Sequence, residues 1–173
     1  MSASPLQMAS VFAAIANSGQ QCTPQSIESV TDRDENVLKE FSADCKEVIS
    51  PDVANKTAAL LTASAGQYYT STRLGDGRPF AAKSGTTDGH ANTWLTGFTP
   101  SVVTSAWVGH GENSSQEVGA VTINGHYYGE IYGETFVGQN IWAPYMTQIL
   151  AGTPVEAVSN ANIGASTPRT STP

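Results

Sequence analysis

Apolar positions three and four apart open the chain: Leu6, Ala9, Phe12, Ala13 and Ala16, with Met8 and Ile15, form a broad stripe rich in small residues. This periodicity predicts a helix over 4–18 that lies close against a sheet. Ser4 suits its N-cap, Pro5 its first turn, and Gly19 its stop after Asn17 and Ser18. A second helix is predicted over 51–65. There Ser50-Pro51-Asp52 supplies a cap, a first-turn proline and an acid at the positive end of the dipole, ahead of Val53, Ala54, Thr57, Ala58, Leu60 and Leu61. Residues 67–78 are polar, with Gly75 and Gly77 bracketing Asp76, and read as a loop whose tyrosines suit either the core or a groove.

Between and after these helices the period drops to two. Ser26–Thr31 and Val37–Phe41 alternate apolar and polar residues around the turn-rich Asp32-Arg-Asp-Glu-Asn36, which predicts a β-hairpin. Centred between Arg33 and Asp34, the hairpin sets Cys22 opposite Cys45 and leaves a disulfide geometrically open; the alternative is two unrelated thiols. Thr93–Thr99 and Val102–Val108 are separated only by Pro100-Ser101, so they are antiparallel neighbours. With the strand leading into Lys83 they make a three-stranded meander. Residues 110–139 are glycine-rich, and Asn124-Gly125 marks a hairpin turn; Ile141–Leu150, with Pro144 near its start, reads as a closing helix. The fold class is α+β: an antiparallel sheet with flanking helices, the Lys83 strand at its exposed side. Residues 1–152 make one domain, and 153–173 lack apolar anchors and read as a disordered linker or tail.

Composition narrows the function classes. A chain of 173 residues that is 39% hydrophobic supports one core. Its 15 acidic and 8 basic residues give a formal charge of −7 with the cations scattered singly, which argues against a nucleic-acid partner. No apolar run approaches the roughly 20 residues of a membrane span, so any anchor or export signal is expected to lie outside these residues. A Cys22–Cys45 bridge would imply an oxidising compartment. His90, His110 and His126 fit no compact metal signature and read as surface or loop residues, so neither metal nor cofactor is expected.

Lys83-Ser84-Gly85-Thr86-Thr87 carries the candidate chemistry. A strand lysine followed by Ser-Gly offers a fixed cation, a hydroxyl, and a position where a ligand backbone can approach the strand, a set that suits a carboxylate-bearing ligand. Thr86 adds an N–H able to hold an oxyanion if a nucleophile faces it. The default for so short a match is a solvated loop lysine. The motif resembles the Lys-Thr/Ser-Gly motif of penicillin-binding transpeptidases and serine β-lactamases. With Ser4-Pro5-Leu6, Val48-Ile-Ser-Pro51, Trp94–Pro100, Ala106-Trp-Val-Gly109 and Ala143-Pro144 in that order, the chain resembles the C-terminal half of the transpeptidase domain of class A, bifunctional penicillin-binding proteins.

That resemblance implies a partial serine β-lactamase/transpeptidase-like fold. It also implies a peptidoglycan D,D-transpeptidase that passes an acyl group from D-Ala-D-Ala through a serine ester to an amine and binds β-lactams. Lys83 and Thr86 would be its catalytic groups, and Ser84, Gly85, Thr86 and Thr87 would bind the stem peptide. The implied location is the extracytoplasmic face of a bacterial membrane, anchored by a segment outside this chain. Two departures stand out: Ser84 where threonine is commoner, and Asn92 where an acid often precedes the tryptophan strand. A third is larger. Neither Ser-x-x-Lys nor Ser-x-Asn occurs in the 173 residues, so the nucleophile is expected from a missing N-terminal half of the domain. The alternatives are a non-catalytic ligand-binding or structural module of this fold and, third, a β-lactamase or D,D-carboxypeptidase.

Overall fold

The computed structural model describes residues 3–112, 115–123 and 125–158. Helix α1 (Pro5–Ala16) opens on a closed capping box: Ser4 Oγ accepts the Gln7 N–H while the Gln7 side chain accepts the Ser4 N–H. Gly19, at φ +90°, turns the chain out of the helix against the Ile49 carbonyl, where a Cβ has no room.

The hairpin follows as two antiparallel pairs. At its base β1 (Gln20–Cys22) pairs with β4 (Cys45–Glu47), which sets Cys22 opposite Cys45, and the two are disulfide-bonded. Farther out, β2 (Ser29–Thr31) pairs with β3 (Val37–Glu40). A turn between Arg33 and Asp34 would set Ser29 opposite Leu38, but it stands opposite Glu40, and the register shifts again between Val30 and Thr31. The cause lies in the turn. Asp32 Oδ1 accepts the N–H of both Asp34 and Asn36, and Glu35 sits at φ +64°, which enlarges the loop and makes the adjoining residues bulge. The alternating apolar residues do not form a buried face: every residue of β2, β3 and β4 is exposed, Val30 and Val37 included.

Helix α2 (Pro51–Tyr68) starts at its Ser50 cap and runs three residues past the anticipated end. Gly66 faces open space, and its helix penalty of about 1 kcal/mol is outweighed by burial of Ala65 and Tyr69 on either side of it. Strands β5 (Ala81–Thr86), β6 (Asn92–Phe98) and β7 (Val103–Gly109) form the main antiparallel sheet in that order, so β5 is an edge. Successive strand residues face opposite ways. Accordingly Ala81 enters a cluster with Phe12, Ala58 and Phe98, while Ala82 enters a second with Phe80, Leu95, Trp142 and Met146. Both alanines are fully buried, so the sheet is covered on both faces. The Trp142 ring sits so close to the sheet that a Cβ at Gly97 would stand 2.8 Å from its Cζ2.

The second face is covered chiefly by the helical segment over 133–149; ahead of it β8 (Gly119–Ile123) pairs with β9 (His126–Glu130), and Val121 and Tyr128 pack beside the same cluster. Asn124 of the anticipated turn lies outside the described residues; Gly125 has φ +79°. The closing helix begins at Gly133, eight residues earlier than its periodicity suggests: Gly133–Trp142 is π-helical and leads into α3 (Ala143–Ile149). Ala143 N–H bonds the Gly138 carbonyl five residues back, and this wider turn admits Pro144, which lacks a donor and would clash in a tight one. Gly133, Thr135, Val137 and Gly138 are poor helix formers, and burial of Phe136, Val137 and Trp142 overrides them.

Buried Arg78 ties the approach to β5 to the end of α3. Its guanidinium donates to Asp76 Oδ2, to the carbonyls of Leu150 and Thr153, and to Thr153 Oγ1. Of the anticipated tail, residues 153–158 are described, with Val158 packed beside the Phe12 cluster. Residues 159–173 lie outside the described residues.

Candidate active site

Lys83, Ser84, Gly85 and Thr86 all lie on β5, and Thr87 follows it. The strand separates their side chains. Lys83 lies on the face that looks toward α1, where a groove of about 560 Å³ is lined by the run Lys83, Ser84, Gly85 and Thr87 with Trp94 and Phe12. Ser84 and Thr86 lie on the opposite face, against Tyr69 and Gly133. Sequence reasoning places a hydroxyl directly beside the cation; the pleat puts them back to back, both at the sheet edge. Lys83 is exposed, and its Nζ donates to the Ser84 carbonyl at 3.0 Å.

The backbone of this edge is equally specific. Thr87 N–H points inward to the Asn92 carbonyl of β6 at 2.9 Å, so alternation directs Ser84 and Thr86 outward. Ser84 N–H is taken at 2.8 Å by the Tyr69 hydroxyl, which also donates to Ser84 Oγ at 3.2 Å. Thr86 N–H faces out along the same edge. Its hydroxyl accepts the Gly133 N–H at 3.3 Å. Gly133 allows that approach because a Cβ there would run into the Trp94 carbonyl and the Ser84 Cβ. Asn92 anchors the start of β6 through the Trp107 indole N–H, which donates to its Oδ1 at 3.1 Å.

Tyr132 flanks the site beside Gly133. Its phenol donates to Glu130 Oε2, which raises its pKa above the ordinary tyrosine value, and burial and the charges of Glu130 and Glu134 act in the same direction. The His90 ring packs edge-on against it at 4.8 Å; His126 packs likewise on Tyr128, and His110 follows β7. Among the described residues no three His, Cys, Asp or Glu side chains gather in a metal-binding group, and no helix is long and apolar enough to cross a membrane. The Cys22–Cys45 bridge stands apart from this edge, at the base of the hairpin arm.

Tyr69 and Gly133 are the residues that sequence reasoning misses. Tyr69 is one of the tyrosines that suit either the core or a groove, with no partner indicated, and Gly133 is one of 16 glycines. Neither carries a local signal of its contact with β5.

Residues 1–133 match a family model described as the penicillin binding protein transpeptidase domain. Penicillin-binding protein 2D of Bacillus subtilis is 31% identical over 88% of this chain and 21% of its own length. Penicillin-binding protein 1A of Mycolicibacterium smegmatis is 33% identical over 88% of the chain and 19% of its own length. The chain therefore spans about a fifth of these relatives. Among solved structures, the penicillin-binding protein PonA1 from Mycobacterium tuberculosis superposes with a TM-score of 0.71 at 29% identity, covering 94% of this chain and 44% of that one.

Proposed function

The chain belongs to the penicillin-binding protein transpeptidase family, and from that premise we propose that it is the C-terminal part of a class A D,D-transpeptidase domain. In this reading the Lys83 edge receives the D-Ala-D-Ala end of a peptidoglycan stem peptide. A serine supplied from outside these 173 residues attacks the carbonyl of the D-Ala-D-Ala bond, forming the acyl ester and expelling the terminal D-alanine, and an amine of a neighbouring stem then takes the acyl group and frees the serine. β-Lactams acylate the same serine. The observation that carries the reading is the β5 edge, which no further strand covers among the described residues: Thr86 N–H faces outward where it would hold an oxyanion, and Lys83 stands over the adjoining groove. Ser84 and Thr86 hydroxyls would bind the terminal carboxylate, with Gly85 and Thr87 letting the peptide lie close. The disulfide supports an extracytoplasmic location, with the membrane anchor on a segment outside this chain.

The test is covalent labelling by a fluorescent penicillin. The 173-residue chain should take up none, because acylation requires an activated nucleophile and no Ser-x-x-Lys is present. Joined to a serine-bearing half of the domain, it should label. There Lys83→Ala should slow acylation by about 10²–10³-fold, as loss of a positioned charge does in a desolvated cleft. Ser84→Ala should cost about 1.5–3 kcal/mol, one hydrogen bond to a charged group. Labelling of Lys83→Ala at the wild-type rate would remove Lys83 from the mechanism. A second reading is a non-catalytic ligand-binding or structural module of this fold. It requires that the joined protein bind penicillin reversibly without forming an ester.

A further inference from the structure

We propose that Tyr69 is a positioning residue for Ser84: it fixes the serine hydroxyl as a donor and closes the serine N–H to any ligand backbone. The inference rests on the carboxylate-binding role given to Ser84 above. Tyr69 is buried, 5% exposed, just past the end of α2 and 15 residues from its partner. Its oxygen accepts the Ser84 N–H at 2.8 Å and its proton goes to Ser84 Oγ at 3.2 Å. A serine hydroxyl has one proton and two acceptor sites. With Oγ already accepting from Tyr69, the serine proton is left to point elsewhere, and the incoming bond polarises it as a donor. A carboxylate accepts only, so it needs that polarity.

Thr86 is prepared in the same sense, since its Oγ1 accepts from Gly133 N–H and keeps its own proton to give. The two hydroxyls share one face of the strand, each backed by a protein donor. The backbone consequence is independent of the hydroxyls. With Ser84 N–H occupied, an extended ligand along β5 meets Thr86 N–H as an open donor while the preceding outward rung is closed, which fixes its register.

Tyr69→Phe tests this in the 173-residue chain, since it keeps the ring and removes one oxygen. Amide exchange read by NMR should speed up by about tenfold or more at Ser84, the scale of one lost hydrogen bond, and stay unchanged at Lys83 and Gly85, whose N–H groups face β6. Unchanged exchange at Ser84 overturns the proposal. The second readout titrates N-acetyl-D-alanyl-D-alanine and its C-terminal amide. Tyr69→Phe should weaken the carboxylate form by about five- to tenfold and leave the amide form alone, with no further loss in a Ser84→Ala background. Equal losses for both forms, or a full additional loss in that background, assign Tyr69 to packing and overturn the proposal. If the wild type does not distinguish the two forms, the carboxylate role of Ser84 fails, and Ser84 exchange alone decides whether Tyr69 holds it.

Discussion

The arm between Cys22 and Cys45 and the strand bearing Lys83 both end in open sheet edges, yet opposite means hold them. The arm has no layer over it: β2 and β3 are exposed throughout, and a side-chain turn at Asp32 and a covalent bond at the base keep its shape. Strand β5 is gripped from three directions, by Ala81 in one core, Ala82 in the other, and Tyr69 and Gly133 at the edge itself. Local chemistry suffices for a ribbon with an irregular register. A site whose donors must be placed to a fraction of an ångström needs packing around it.

The largest effect should come from the cover over β5. Trp142, fully buried, packs on Phe80 and donates from Nε1 to the Thr104 carbonyl. Trp142→Ala should lower unfolding free energy by about 4 kcal/mol in a denaturant titration, and exchange at β5–β7 should rise while the arm stays as it was. Gly133→Ala comes next. Its methyl must push away the Trp94 carbonyl and Ser84, which should cost about 3 kcal/mol, and the Ser84 and Thr86 amide signals should shift more than those of β7. If both variants instead disturb the arm as much as the sheet, the two regions are one cooperative unit and the contrast fails.

Replacing both cysteines by serine examines the other side. Closing a loop of 23 residues is worth about 3 kcal/mol when the loop unfolds together with the body. Because the arm buries little, the global loss should be well below that figure, with β2 and β3 exchanging freely and β5 unaffected. The smallest expected effect is electrostatic. Arg78 holds the Asp76 carboxyl below the ordinary value of 3.8, chiefly through its hydrogen bonds. A lowered folded pKa means stability that is present above pH 3.8 and lost as pH falls through the folded value. Asp76→Asn should therefore melt below wild type at pH 7, and the gap should close as the pH drops below about 3.8. A gap unchanged at low pH would mean that Asp76 acts by shape rather than charge.

How much was legible follows from the range of the forces involved. Caps, first-turn prolines and the three-four spacing act within one turn, so Ser4, Ser50 and the stripe from Leu6 to Ala16 announce α1 and α2 without reference to anything distant. The two-residue link at Pro100-Ser101 makes β6 and β7 antiparallel for the same reason, and the edge motif at Lys83 is a run of adjacent residues. What needed the folded chain are the contacts that cross it. The inner register of the arm came from a hydrogen-bonded turn, and the long helix from burial that overrides poor propensity ahead of Pro144. The same holds for the two faces over which Lys83 and Ser84 part, and for Tyr69 and Gly133, 15 and 47 residues from the groups they hold. No local pattern encodes those separations, because nothing about a tyrosine past the end of a helix or one glycine among many says which edge it will meet until both cores have closed around the sheet.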